Sequence, residues 1–365
     1  MLYLNMIVRD EASCIKRCLD SIKPYIQGWA ILDTGSTDGT QDIIRKELAN
    51  LPGELREADF TDFATARNKA LVLARAWTTE EDYLLLMDAD EELKQEENTI
   101  FPTLSADVYD SLIRLGGCEY WRTLIIKAHW PWKWAGPCHE RIACDGPFTR
   151  DKIRGFWRQA YQHKEEDKKE RSLWYAAMLE KEMDKDPKDA RACFYWAQSL
   201  RDAGELEKAA LGYRRRATMG GFQEEVYISL LNVARIYERL NKPEDVVINA
   251  YLMAAASRPS RAEALGSLMY YLRSRKRFYE AALIAREACT LMPTNDLLFV
   301  EPEWVNWRIL DEASISYTWA GRLRQARNAI LALITRPIPE AHKQRIEANR
   351  DLIIKAATPP NKPQS

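Results

Sequence analysis

Apolar and polar positions obey two different patterns along this chain of 365 residues. Through about residue 160, short apolar runs alternate with polar turns and helical stretches. Leu4, Met6, Ile7 and Val8 mark a buried strand, and a helical segment follows over residues 12–21. Trp29, Ala30, Ile31 and Leu32 predict a second strand that ends at Asp33. Turn-forming residues 34–39 lead into an amphipathic helix opening at Thr40. A third helix is expected over residues 63–76 and a further buried strand over residues 83–87. Strands alternating with helices predict a mostly parallel α/β sheet covered on both faces. Ligands of such sheets bind beyond the carboxyl ends of the strands. Asp33, Gly35, Asp88 and Asp90 all fall at predicted strand ends.

Beyond about residue 165, helical periodicity rich in alanine takes over. Phe194, Ala197, Leu200, Gly204, Ala209 and Tyr213 outline one helix-turn-helix unit, and Ala234, Tyr237, Asn241 and Val246 repeat its spacing. Ala281, Ala285, Ala288 and Pro293 fit the second half of a third unit, and Tyr317, Gly321 and Ala326 suggest a fourth. This pattern resembles degenerate tetratricopeptide repeats, whose small residues let paired helices approach closely. Generic antiparallel helices are the alternative. The expected organisation is an α/β catalytic domain over residues 1–165 and an all-α repeat domain over residues 166–357. Residues 358–365, rich in Pro and polar side chains, are expected to be a disordered tail.

Composition narrows the function classes. The net charge of -1 gives no global attraction for nucleic acid or an anionic membrane. Two basic clusters, Arg214 to Arg216 and Arg273 with Arg275, Lys276 and Arg277, read as solvated helix faces. The seven cysteines include no C-x-x-C pair, which fits free thiols in a reducing compartment. There is no apolar run of about 18 residues, and the first strand is too short for a signal peptide. A cytoplasmic protein with no membrane span is the expectation.

Two runs carry candidate chemistry. Asp88-Ala89-Asp90 follows directly on a predicted strand. Carboxylates one residue apart there suit a hard divalent cation, which in turn neutralises a diphosphate. An acidic N-cap of a helix starting near Glu91 is the rival explanation. Asp33-Thr34-Gly35-Ser36-Thr37-Asp38-Gly39-Thr40 offers a carboxylate for a ribose or base edge and backbone amides for phosphate. Helix capping by Asp38 or Thr40 is compatible with that use.

These runs belong to an ordered set. Asn5-Met6-Ile7-Val8-Arg9-Asp10-Glu11, then residues 33–40, then Ala66-Arg67-Asn68 with Ala70, then Leu86-Met87-Asp88-Ala89-Asp90-Glu91 resemble, in order and spacing, the motifs of family 2 glycosyltransferases. The resemblance covers roughly the first 95 residues and implies a GT-A fold that binds a nucleotide sugar, by family expectation a UDP-sugar. It implies donor contacts at Asn5, Val8, Arg9, Glu11, Asp33, Ser36, Arg67, Asp88 and Ala89. It also implies Mn²⁺ or Mg²⁺ held by Asp88 and Asp90. Gly136-Pro137-Cys138-His139-Glu140-Arg141 is similar to an element of the subfamily with C-terminal repeats. There Glu140 takes the place of the catalytic base of inverting enzymes. His163 resembles a late His that completes the metal or diphosphate site. The sequence around it, Gln162-His163-Lys164, departs from the aromatic-glycine context usual after that residue.

Around these motifs stand Trp121, Trp130, Trp132 and Trp134, either a stacking platform or core. Arg122 and Lys127 bring positive charge close in sequence to the expected diphosphate site. Cys138 beside His139 invites a thiol-nucleophile reading, which the motif makes unnecessary. The acceptor is open between a peptide or protein side chain, a glycan and a lipid-linked acceptor. A modified DNA base, as for phage enzymes, is disfavoured by the balanced charge. The helices equally suit a homodimer interface. A non-catalytic repeat scaffold would be marked by decay of Asp88, Asp90 or Glu140, and all three are present. A nucleotidyltransferase would carry a Gly-rich basic loop where Arg9-Asp10-Glu11-Ala12 stands.

Overall fold

The computed structural model describes residues 1–161 and 168–358. Compact packing divides the chain into two units, Met1–Ala203 and a second beginning at Gly204. Regular helices nevertheless begin earlier, at Lys168. Among the described residues, no helix is long and apolar enough to cross a membrane.

The first unit is built on an eight-stranded mixed sheet. Strands β1 (Leu2–Val8), β2 (Gly28–Asp33), β3 (Gly53–Glu57) and β4 (Tyr83–Leu86) run parallel in the order β3-β2-β1-β4. The sheet continues antiparallel from β4 through β7 (Cys118–Lys127) to β6 (Val108–Leu115). Next come β10 (Arg150–Ala160), parallel to β6, and the edge strand β5 (Glu91–Gln95). A small hairpin of β8 (Lys133–Ala135) and β9 (Arg141–Ala143) stands apart.

Alternation along β1 explains the layering. Leu2, Leu4, Met6 and Val8 point to one face, against Ile15, Cys18, Leu19 and Ile22 of α1 (Ile15–Ile22) and Ile44 of α2 (Thr40–Glu47). Tyr3 points to the other, against Ala64, Leu71 and Ala74 of α3 (Phe63–Arg75). Asn5 shares that second face and donates from Nδ2 to the Ala70 carbonyl at 2.8 Å, fastening β1 to α3. The unit ends in the paired helices α4 (Lys168–Lys185) and α5 (Ala190–Asp202).

The run after Asp88 is not a helix, so the N-cap explanation fails. Glu91 instead opens β5, whose residues pair antiparallel with β10.

The second unit holds α6 (Leu206–Thr218), α7 (Gln223–Arg239), α8 (Glu244–Ser257), α9 (Glu263–Ser274) and α10 (Phe278–Ala288). A π-helical turn, Trp304–Arg308, leads into α11 (Ile309–Trp319), α12 (Leu323–Leu333) and α13 (Glu340–Ala357). Three hairpins, α7–α8, α9–α10 and α11–α12, turn in the same way. Asn241, Lys276 and Gly321 sit at φ of 49, 60 and 73°. In each, the next amide reaches back five residues: Lys242 to Tyr237, Arg277 to Leu272, Arg322 to Tyr317. This is the Schellman stop, which satisfies carbonyls that the helix end leaves unpaired. Ala234, Ala281, Ala285, Ala313 and Ala326 are fully buried where the paired helices meet. These are helical-repeat hairpins of the tetratricopeptide kind.

The basic clusters are not simply solvated faces. Arg214 and Arg215 are exposed, but Arg216 is buried and donates to Glu225 from Nε and Nη2 at 3.1 and 2.9 Å. Arg273 is ion-paired with Glu312, and Arg277 with Glu244 and Glu280. Glu225 and Glu280, close in sequence, and Glu244 and Glu312, 33 and 39 residues away, take up these charges.

One glycine here is a packing requirement. A Cβ on Gly266 of α9 would lie 2.3 Å from Cε3 of the buried Trp304 ring. Ala is intrinsically the better helix former by about 1 kcal/mol. Overpacking a core of this density costs ~1–3 kcal/mol, and Gly266→Ala is therefore expected to be net destabilising. Urea denaturation checks this; equal or greater stability would contradict the packing argument.

Candidate active site

The loops after β1 and β2 are laced together. Val8 O accepts from Thr34 N and Oγ1 at 2.9 and 3.0 Å. Asp10 N donates to Ser36 Oγ at 3.0 Å, and Asp10 Oδ1 accepts from Thr37 N at 2.7 Å. Glu11 N donates to Thr40 Oγ1, and Ala12 N to Asp38 Oδ2. Asp38 therefore ties the two loops as well as accepting from Thr40 N at 3.0 Å. Arg9 is exposed beside Asp10, at 3.9 Å from it.

Asp33 is wholly buried at the end of β2. Its Oδ1 accepts from Gly35 N and Ser36 N, both at 2.8 Å. Its Oδ2 is buried without a partner among the described residues. An unpaired buried oxygen is costly, and such atoms commonly await a ligand or water.

At the end of β4 a second group forms. Arg67 projects from α3 and is almost fully buried. Its Nε donates to Glu140 Oε1 at 2.5 Å and its Nη2 to Asp88 Oδ1 at 2.5 Å. Arg122, from β7, faces the same two carboxylates, with Nη1 3.2 Å from Asp88 Oδ2 and Nη2 3.4 Å from Glu140 Oε1. Burial alone would raise both carboxyl pKa values, but the Arg67 and Arg122 charges outweigh it. Asp88 is held well below the usual carboxylate range, and Glu140 is lowered too. Both are therefore ionised at neutral pH. Behind them Arg158 pairs with Glu91 at 3.2 Å and donates from Nη2 to the Arg122 carbonyl at 2.9 Å.

Local sequence explains why Glu140 arrives there. The β8–β9 hairpin loop needs left-handed backbone at Gly136 (φ 98°) and His139 (φ 48°). Phe63 N donates to Pro137 O at 3.1 Å, anchoring the loop to the start of α3. Asn68 exchanges two hydrogen bonds with the Trp134 backbone, both at 2.9 Å. The Ala-Arg-Asn run thus divides its work: Arg67 bridges the carboxylates, Asn68 holds β8, and Ala66 and Ala70 pack against Leu32. The His139 ring stacks on Tyr195 at 4.3 Å and 11°, and burial pushes its pKa down to about 4. Arg191 Nη2 donates to the His139 carbonyl at 3.0 Å.

Asp88, Glu140 and Arg67 are thus brought together, whereas Ala89 is buried in the core below them. Asp90, half-buried, follows on the same turn. Glu11 Oε2 accepts from the Cys14 thiol at 3.0 Å. His163 lies outside the described residues. Burial pushes the Cys138 thiol up to about 12, so it stays protonated. Trp132 and Trp134 belong to the core, with the Arg67 guanidinium 4.9 Å from the Trp134 ring centre. Trp130 stacks on Trp132 at 6.1 Å, and Lys152 sits 4.1 Å above Trp121. Lys127 pairs with Glu81 at 3.6 Å and lies over the Tyr83 ring, so it joins none of the carboxylates that Arg67 and Arg122 face.

Sequence reasoning passed over Arg158, Arg191 and Tyr195, and gave Glu91 only its place in the motif. For Arg158 a signal existed: it alternates with Trp157 on a strand and so falls on the inward face. Arg191 and Tyr195 act through the fold on a loop far away in sequence, and no motif marks them.

Among known proteins, residues 4–100 match the model for Glycosyl transferase family 2. The TPR repeat-containing protein Synpcc7942_0270 of Synechococcus elongatus is 43% identical over 90 residues, 25% of this chain and 20% of that protein. The SPbeta prophage-derived glycosyltransferase SunS of Bacillus subtilis is 33% identical over 87 residues, 24% of this chain and 19% of that protein. The chain thus matches about a fifth of the length of these relatives. Among solved structures, YrrB, a TPR protein with an unusual peptide-binding site, aligns with 51% of this chain and 84% of its own at 12% identity and a TM-score of 0.35. The N-terminal α/β sheet, with its motifs at the ends of β1, β2 and β4, carries a glycosyl transferase family 2 domain of the GT-A type.

Proposed function

We propose that this chain transfers a sugar from a nucleoside diphosphate sugar, UDP-linked by family expectation, to an acceptor hydroxyl or other nucleophile with inversion. One observation carries the reading: a buried, ionised carboxylate, Glu140, stands beside the carboxylate at the end of β4, with two guanidiniums between them. Inverting transfer needs an ionised base close to where the diphosphate leaves, and guanidiniums able to face that diphosphate. Asp33 Oδ2 gives secondary support, since a donor N–H or hydroxyl would satisfy its missing bond.

Mn²⁺ or Mg²⁺ fits this donor set as an ion shared with the substrate. Among the described residues no three His, Cys, Asp or Glu converge on one position. Asp88, whose two oxygens also face arginines, and Asp90 are the carboxylates that would hold the ion together with donor phosphates. When bound, the ion would neutralise charge on the leaving diphosphate. Asp33 and the laced loops orient the nucleoside, while Arg67 keeps Glu140 and Asp88 at a fixed separation. Glu140 takes the acceptor proton as the new bond forms. A peptide or protein side chain, or a glycan, is the acceptor proposed.

Calorimetric titration of a nucleotide-sugar panel, with and without Mn²⁺, tests this. One donor is expected to bind in a metal-dependent way and to lose at least ~10-fold affinity in Asp90→Ala. If no donor binds under any metal condition, the transferase reading is wrong and a binding scaffold takes its place.

A further inference from the structure

The four charges at the end of β4 cancel, yet the two cations are held unequally. Arg67 sits at 2.5 Å from each carboxylate, with a side chain 9% exposed. Arg122 stands off at 3.2 and 3.4 Å, with a side chain 34% exposed. Its backbone is pinned through the carbonyl by Arg158, so only the side chain is free to turn. Two contacts also leave much of its fork of five N–H donors unspent.

A diphosphate arriving beside Asp88 adds negative charge to a neutral cluster. The cation held least tightly and exposed most is the one that answers it. Guanidinium suits the task, since its planar fork matches two phosphate oxygens at once. We infer that Arg122 is a β-phosphate-binding residue, which exchanges its contact with Glu140 for the donor diphosphate. The inference rests on the nucleotide-sugar reading above. Arg67 keeps its place. Donor binding then removes one of the two cations facing Glu140 and leaves the carboxylate a better proton acceptor when a donor is present. The base is thus damped in the empty site and released by the donor itself.

The test compares UDP with UMP, and GDP with GMP, by calorimetry on the full chain, in wild type, Arg122→Gln and Arg122→Lys. The advantage of diphosphate over monophosphate isolates the β-phosphate contact from nucleoside contacts and from general damage to the fold. In Arg122→Gln that advantage is expected to fall by about tenfold, with monophosphate affinity unchanged within about twofold. Arg122→Lys keeps the charge but loses the fork, and is expected to retain an intermediate advantage. An undiminished advantage in Arg122→Gln would overturn the inference while leaving the transferase reading intact. An equal loss of monophosphate and diphosphate affinity would also overturn it, by showing a merely structural role. No binding of any nucleotide by wild type would overturn the transferase reading, and this inference with it.

Discussion

Glu140→Gln is expected to lower acceptor-dependent release of nucleoside diphosphate by about 10²–10⁴-fold, the usual contribution of a general base. The substitution is nearly isosteric. The amide oxygen still accepts from Arg67 Nε, so the β8–β9 loop keeps the anchor it has at 2.5 Å. What disappears is the charge and the capacity to take a proton. Donor affinity should therefore stay within a fewfold of wild type, and the thermal midpoint should move little. Initial rates at saturating donor, beside calorimetric donor affinity, separate the two effects. A variant that keeps near-normal turnover would remove Glu140 from the reaction. A variant that fails to bind donor would make it a structural residue instead. Glu140→Ala is the poorer probe, because it removes the Arg67 and Arg122 contacts together with the proton acceptor.

Much of this was legible because the donor side of the site is local. Asp33 and Asp88 each follow directly on a buried apolar run, with Asp90 two residues on, and strand ends are where a parallel sheet opens to ligands. The repeat turns were legible where glycine or asparagine supplies the left-handed residue, as at Gly321 and Asn241. Lys276 adopts the same conformation and was passed over, since lysine rarely signals it. Strand β3 escaped notice as well: it is an edge strand, half-exposed, with Leu55 its only apolar side chain. The antiparallel half of the sheet was passed over as well: β10 pairs with β6 and β5 across long gaps in sequence, although the tight Gly116-Gly117 turn joining β6 to β7 was a local signal. That half supplies Arg122 and Arg158. Sequence proximity gave Arg122 and Lys127 equal standing. Register separates them: Arg122 pairs with Ser111 and turns to the carboxylates, while Lys127 pairs with Tyr83 at the far end of β7.

The second large effect is expected in the helical-repeat unit, at Arg261, and it concerns stability. Arg261 is buried, and each of its five N–H groups has an acceptor. Nε and Nη2 donate to the two Glu263 oxygens at 3.0 and 2.8 Å, and Nη1 to Asp296 Oδ2 at 3.1 Å. The Leu298 and Phe299 carbonyls accept the remaining two at 3.1 and 2.8 Å. Glu224 meanwhile accepts from the Leu297 and Leu298 amides, both at 2.7 Å. The non-helical segment between α10 and the π-helical turn is thus held by charge and not by an apolar core. Arg261→Met keeps the length of the side chain but leaves Glu263 and part of Asp296 buried without their cation. Breaking one partner of a buried pair typically costs ~3–5 kcal/mol, and a loss of that size is expected in urea denaturation of the helical-repeat unit. The pH dependence carries a sign. Arg258 and Arg261, working against burial, hold the Asp296 carboxyl below its ordinary value. That contribution is present above the unfolded pKa of a carboxyl, near ~4, and is lost as pH falls through the lower folded value. Wild type therefore loses this stabilisation in acid, whereas Arg261→Met has less of it to lose, so the gap between them should narrow as the pH drops below 4. A gap that widens in acid, or a variant as stable as wild type at pH 7, would show that the segment is held by something other than this charge network.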